Sequence, residues 1–318
     1  MVERRTVEPA NLRVLTEGLK FPEGPVALAD GSVVVVEIPL GRITRVAPDG
    51  ALSVVAETGG GPNGLAVAPD GSLLVCNNGG CFDWLEIGDL LISGAPPPAD
   101  WPGHGALQRV DLATGEVTTL VTEWEGEPLL ALNDLVVDAG GGVWFTDFGV
   151  RESMEAEAEP SAVYWCRPDG SDLRRVIYPL YGPNGIGLSP AGDRLYVAEC
   201  YDGRLLAWDV TGPGEVSGSG SDGAAGATLI DQPGEGALFD SLGVDGDGWV
   251  CVGTLVQGHG ITSYSPDGAV AESTPLPDPM VTNICFGADG TAYATLSATG
   301  KLVAFDWPRP GGRLNFTA

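Results

Sequence analysis

A hairpin pattern that returns six times along 318 residues decides what this chain can fold into. It is plainest in residues 181–200, YGPNGIGLSPAGDRLYVAEC, where a short apolar run, a Pro-Ala-Gly-Asp turn and a second apolar run follow one another. Related stretches begin at Gly61 (GPNGLAVAPDGSLLVCN) and Leu132 (LNDLVVDAGGGVWFTDF). Alignment on the turn glycine gives Gly31, Gly71, Gly141, Gly192, Gly248 and Gly290, each followed by a β-branched or aromatic run. Such runs, bounded by Gly, Asp and Pro, are the signature of strands. A second, more polar hairpin follows most of them, as in GRITRVAPDG, AVYWCRPDG and GITSYSPDG. Two hairpins per unit make a four-stranded antiparallel sheet, and six such units make a ring. The spacing predicts an all-β, six-bladed β-propeller formed by residues 1–318 as one domain, with residues 12–15 closing the last blade. A sandwich or an eight-stranded barrel does not explain six recurrences of one hairpin.

Three stretches depart from the repeat. Residues 79–104 carry two tryptophans and a run of prolines, which predicts an ordered insertion packed over one face. Residues 150–161 are short and acidic and read as a solvated loop; residues 211–227 are rich in Gly and Ser and read as a flexible tip. The 48 glycines fit many tight turns, and a hydrophobic content of 43% allows a large core. With 16 basic against 43 acidic residues, the net charge of −27 repels phosphate backbones and anionic lipid, so nucleic acid and membrane surfaces are poor partners. No apolar run has the length of a signal peptide or membrane span, which points to a cytoplasmic protein acting on a small molecule. The six cysteines form no C-x-x-C pair and read as buried thiols.

Chemistry concentrates at one register. Eight residues before each turn glycine stand Glu23, Asn63, Asn133, Asn184, Asp240 and Thr282, all of them polar. The innermost strand of each blade lines the central channel, so these side chains are expected to converge on one axis. A ring of oxygen donors with two carboxylates suits a hard divalent cation such as Ca²⁺. Zinc is disfavoured, because the chain has only His104 and His259 and no Cys/His spacing of the usual kind. Turn chemistry alone does not explain a Glu within the apolar context Phe21-Pro22-Glu23-Gly24-Pro25. His259 is expected near the channel mouth, and Asn78 and Trp84, at the start of the insertion, are further candidates to face a substrate. No nucleophile elbow, P-loop or dinucleotide fingerprint is present.

The segments FPEGP, PNGLAVAPDG, LNDLVVDAGGGVWFTDFG, PNGIGLSP, FDSLGVDGDGWVCV and VTNICFG, in this order over nearly the whole chain, resemble the SMP-30/gluconolactonase/LRE family. The resemblance implies a divalent cation, usually Ca²⁺, held by Glu23, Asn133, Asn184 and Asp240, with Asn63 and Thr282 bracing these or facing the substrate. It also implies hydrolysis of a lactone or related ester by water, activated at the metal or by Asp240 as general base, with Glu23 as the second catalytic carboxylate. Sugar-lactone members carry an arginine where this chain has Ala131, so a sugar lactone is less secure. Phe82, Trp84 and Trp101 of the insertion hint at a less polar substrate. Two other readings are a calcium-dependent hydrolase of another electrophile, of organophosphate type, and a non-catalytic ligand-binding propeller.

Overall fold

The computed structural model describes the chain except residues 1, 154, 155, 157, 158, 219–224, 235, 313 and 318. The acidic stretch at 150–161 and the Gly/Ser-rich stretch at 211–227 lie in part outside the described residues. Six antiparallel sheets stand around a common axis. Their innermost strands are Pro22–Ala27, Pro62–Val67, Leu132–Val137, Pro183–Leu188, Ala237–Val244 and Val281–Phe286. Each touches the next, and the sixth touches the first, so the ring closes. This is the six-bladed β-propeller that the repeat predicted. All six turn glycines take positive φ, from 71° to 88°, which is why the central turn of each blade is written with glycine.

Closure uses the start of the chain. Ala10–Glu17 pairs antiparallel with Lys301–Asp306 as the outer strand of the sixth blade, covering the predicted residues 12–15. Just before it, Glu3–Thr6 adds in parallel to Val270–Pro275, the outermost strand of the fifth blade's own hairpins. The first residues therefore tie two neighbouring blades together.

Burial follows the ring. Six apolar clusters lie between adjacent blades, for example Trp144, Trp165, Ile186, Val197 and Trp208 between the third and fourth, and Val34, Ile43, Leu65 and Val75 between the first and second. Side chains on both faces of each sheet are therefore apolar, and the inner strands read as nearly continuous buried runs. The insertion after the second blade's Leu73–Asn77 folds as a hairpin, Asp83–Ile87 with Leu90–Gly94. It lies over one mouth of the channel, where Leu91 N–H donates to Ala298 O of the sixth blade at 2.9 Å.

Candidate active site

Every inner strand carries a β-bulge, and every bulge falls on the register of the polar residue. The pairing shifts between Glu23 and Val26, Pro62 and Leu65, Leu132 and Leu135, Pro183 and Ile186, Phe239 and Leu242, and Val281 and Asn283. A bulge leaves one residue out of the ladder and re-aims its side chain. Six of them turn the channel lining toward the axis.

The bulges pack against one another so closely that small residues follow the polar one. A Cβ on Gly24, which has φ 53°, would stand 2.4 Å from Asn63 O; one on Gly185 would meet Leu242 N at 2.6 Å and Asp240 O at 2.7 Å. Backbone cannot yield as a flexible side chain does. Gly185→Ala is therefore expected to lower the unfolding free energy by about 2–3 kcal/mol, read from urea melts. An unchanged midpoint would show that the two bulges can separate freely.

Where glycine is absent, the following residue is polar and braces the ring. Asn283 Nδ2 donates to Glu23 Oε2 at 3.0 Å. Ser241 Oγ donates to Asn184 Oδ1 at 3.2 Å. Asp134 accepts from Leu135 N–H at 2.9 Å and from Ile186 N–H of the next blade at 3.4 Å. Sequence reading passed over these three, although each stands one residue beyond the counted register. It also passed over a recurrent polar residue at the end of each of the first four blades' second strands. There Glu37, Asn77, Asp147 and Glu199 accept N–H bonds from Lys20, Gly61, Leu130 and Tyr181, pinning the chain two or three residues before each inward-facing side chain.

A cavity of about 270 Å³ opens over this ring, and Glu23, Asn63, Asn133, Asn184 and Asp240 all line it. Thr282 does not. It is buried beneath, sharing hydroxyl bonds with Thr295 at 2.8 Å and Ser297 at 2.6 Å, and it also bonds Glu23. Trp84 stands behind the wall, its ring 4.9 Å from Phe21 and 6.2 Å from Phe82, both of which do line the cavity. Asn78 is buried in the loop at the base of the insertion, where Oδ1 accepts from Gly80 N–H at 2.9 Å; it does not reach the cavity. Neither does His259, whose Nδ1 is 2.8 Å from Leu276 O. Ala131 is buried in a small apolar cluster with Cys81, Phe148 and Cys200. All six cysteines are buried and unbridged. Burial pushes the Cys81 and Cys200 thiols above their ordinary value, so neither presents a thiolate nucleophile at neutral pH.

The electrostatics of the floor are one-sided. Burial raises the Glu23 carboxyl, although Asn283, the Gly24 N–H and Thr282 bond its charged form. Asp240 is partly exposed, but to the cavity, and is pushed well above the usual carboxylate range by burial and by the charge of Glu23. Behind the ring, Asp134 is pushed up to about 8 by burial and the same Glu23 charge. Asn133 Oδ1 is buried with no hydrogen-bond partner among the described residues. Two carboxyls raised by burial, Asp240 also by the charge of Glu23, beside an orphaned amide oxygen, form a donor set that fits a hard divalent cation. The opposite end of the channel holds a second cavity of about 320 Å³ that contains Asp134 and Asn283 but neither Glu23 nor Asp240. The C-terminal segment covers it, with Asn315 Nδ2 donating to Val137 O at 2.8 Å.

Comparison with known proteins agrees with the propeller fold. A gluconolactonase of Zymomonas mobilis is 26% identical over 308 residues, covering 88% of this chain and 76% of that protein. An L-arabinolactonase of Azospirillum brasilense is 27% identical over 239 residues, 73% of this chain and 72% of that one. Among solved structures, regucalcin of Agrobacterium tumefaciens, described as a calcium-binding protein, superposes with a TM-score of 0.72 at 18% identity, covering 98% of this chain and all of that one. A gluconolactonase of Xanthomonas campestris gives 0.71 at 24% identity, with 93% of this chain and 89% of that one covered. The family model for the SMP-30/Gluconolactonase/LRE-like region matches residues 21–299, from the strand that bears Glu23 to the end of the sixth blade's inner hairpin, and the chain belongs to that family.

Proposed function

We propose that the chain is a lactonase dependent on a divalent cation, with calcium as the ion of first choice. The observation that carries the reading is the pairing of Glu23 and Asp240 with the unpartnered Asn133 oxygen at the bottom of one cavity. The names of the relatives, gluconolactonase and L-arabinolactonase, point to the same substrate class, and the calcium-binding neighbour points to the ion.

In this reading Glu23, Asn133, Asn184 and Asp240 hold the cation. When bound there, a cation polarises the lactone carbonyl and stabilises the oxyanion that develops on it. The chain's own residues do the rest. Water attacks the carbonyl carbon through its oxygen and gives up a proton to Asp240; the ring C–O bond then breaks, and the leaving oxygen takes a proton to yield an open hydroxy acid. Asn63 faces the substrate, while Asn283 and the Gly24 N–H keep Glu23 oriented. The apolar walls above limit access of bulk water, which strengthens every charge interaction on the floor.

The test uses protein purified without chelator and a pH-stat assay on γ-butyrolactone, dihydrocoumarin and glucono-δ-lactone. EDTA is expected to remove activity by about 100-fold or more, with recovery on adding Ca²⁺, since loss of several kcal/mol of transition-state stabilisation is at stake. Activity indifferent to EDTA sinks the cation dependence. Failure to open any lactone sinks the lactonase reading.

A further inference from the structure

The walls of the cavity differ in character from its floor. Carboxylates and amides are confined to the inner-strand bulges, whereas Phe21, Phe82, Ile92, Phe148, Leu238 and Met280 form the sides. Among the described residues lining the cavity, Arg151 alone is basic, and its guanidinium lies flat over the Tyr201 ring, 3.4 Å from the centroid. One wall is supplied by the inserted hairpin, which brings Ile92, Ser93, Gly94, Ala95 and Pro97 to the mouth. That hairpin is held at two points. Leu91 N–H bonds to Ala298 O across the ring, and Trp84 packs from behind on Phe21 and Phe82. The apolar side is thus preorganised before any ligand enters.

Two chemical preferences follow. A hydroxyl pressed against phenylalanine, isoleucine or methionine loses its water partners without replacement, at a cost of roughly tenfold or more in affinity each. A methylene placed there gains about fourfold. A polyhydroxylated ring meets the first consequence several times over, and an alkylated or arylated ring collects the second.

Building on the lactonase reading, we propose that the substrate is a lactone whose ring carries a short apolar substituent, alkyl or aryl, and not a polyhydroxylated sugar lactone. The carbonyl sits over Glu23 and Asp240. The substituent sits among the apolar side chains that line the cavity, Ile92 of the hairpin with Phe21, Phe82, Phe148 and Met280.

Rates are measured on the full-length protein in excess Ca²⁺ along the series γ-butyrolactone, γ-valerolactone, γ-hexalactone and γ-octalactone, with glucono-δ-lactone corrected for its uncatalysed opening. Each added methylene is expected to raise kcat/KM by about fourfold until the cavity is full, and glucono-δ-lactone is expected at least about 100-fold below γ-octalactone. Ile92→Ser is expected to shrink the ratio of γ-octalactone to γ-butyrolactone by about tenfold. Binding of cyclopentanone and its 2-alkyl derivatives, which cannot be hydrolysed, is followed by calorimetry as a readout independent of turnover. Tighter binding with chain length and a negative heat-capacity change supports the apolar subsite. If that gain is present but no lactone is opened, the subsite stands and the lactonase reading alone falls. A flat chain-length series, or glucono-δ-lactone as the best substrate, overturns the proposed substrate class and leaves the lactonase reading in place.

Discussion

Asp240→Asn is expected to lower kcat/KM for lactone opening by about 10³-fold or more, within the range that general-base groups contribute, while the fold and its thermal transition persist. Asparagine keeps the volume and planarity of the side chain, and the bulge between Phe239 and Leu242 is set by backbone pairing. What disappears is the more exposed of the two carboxylates that line the cavity, since Glu23 is buried at 2% and bonded by Asn283 and Gly24. Calcium affinity also falls, because one of two carboxylates is lost, so rates are compared at saturating Ca²⁺ with occupancy measured by calorimetry. Full occupancy with a collapsed rate assigns proton transfer to Asp240. Near-native turnover at full occupancy removes the base role. In chelated protein the same substitution is expected to raise the melting temperature, because it removes a carboxyl that burial, and then the charge of Glu23, lift above its ordinary range.

The second large effect is a stability that depends on pH and cation together. Asp134, held up to about 8, and Glu23 and Asp240, both raised, keep protons in the folded chain that carboxyls of the unfolded chain release above about pH 4. The folded state then binds more protons than the unfolded state, so stability falls as pH rises, by up to about 1.4 kcal/mol per pH unit for each such group. For Asp134 this window runs from about pH 4 to about 8. In EDTA, the melting temperature is expected to drop steadily between about pH 5 and about pH 8. A divalent cation supplies the missing positive charge and binds the ionised carboxylates, so Ca²⁺ is expected to raise the melting temperature most at the alkaline end. Thermal scans at three pH values with EDTA or Ca²⁺ measure both trends. A flat profile in EDTA, or a calcium increment independent of pH, contradicts the one-sided floor.

Much of the ring was legible in the sequence because its cause is local. Turn glycines with positive φ and alternating apolar runs specify hairpins wherever they occur, and counting from those turns found six inward positions. Five of them line the cavity. The sixth, Thr282, stands below it, because in that blade the pairing resumes sooner, at Asn283, and the hydroxyl is taken up by Thr295 and Ser297. Asn78, Trp84 and His259 fall outside the cavity lining for a different reason. Their positions depend on how the insertion and the fifth blade's loop dock, which no local pattern records.

The sequence by itself determined the number of blades, the turn that starts each of them and the polar register of the inner strands, since these rest on interactions between residues a few positions apart. The tertiary structure alone decided the rest. Asp134, Ser241 and Asn283 brace a neighbouring blade's polar residue or backbone only because the ring brings inner strands within hydrogen-bond reach. The insertion becomes an apolar wall only because Leu91 crosses to Ala298 on the opposite side of the chain's numbering. Contacts between residues from about fifty to more than two hundred positions apart carry no periodic trace, and here they shape both the charge of the floor and the chemistry of the walls.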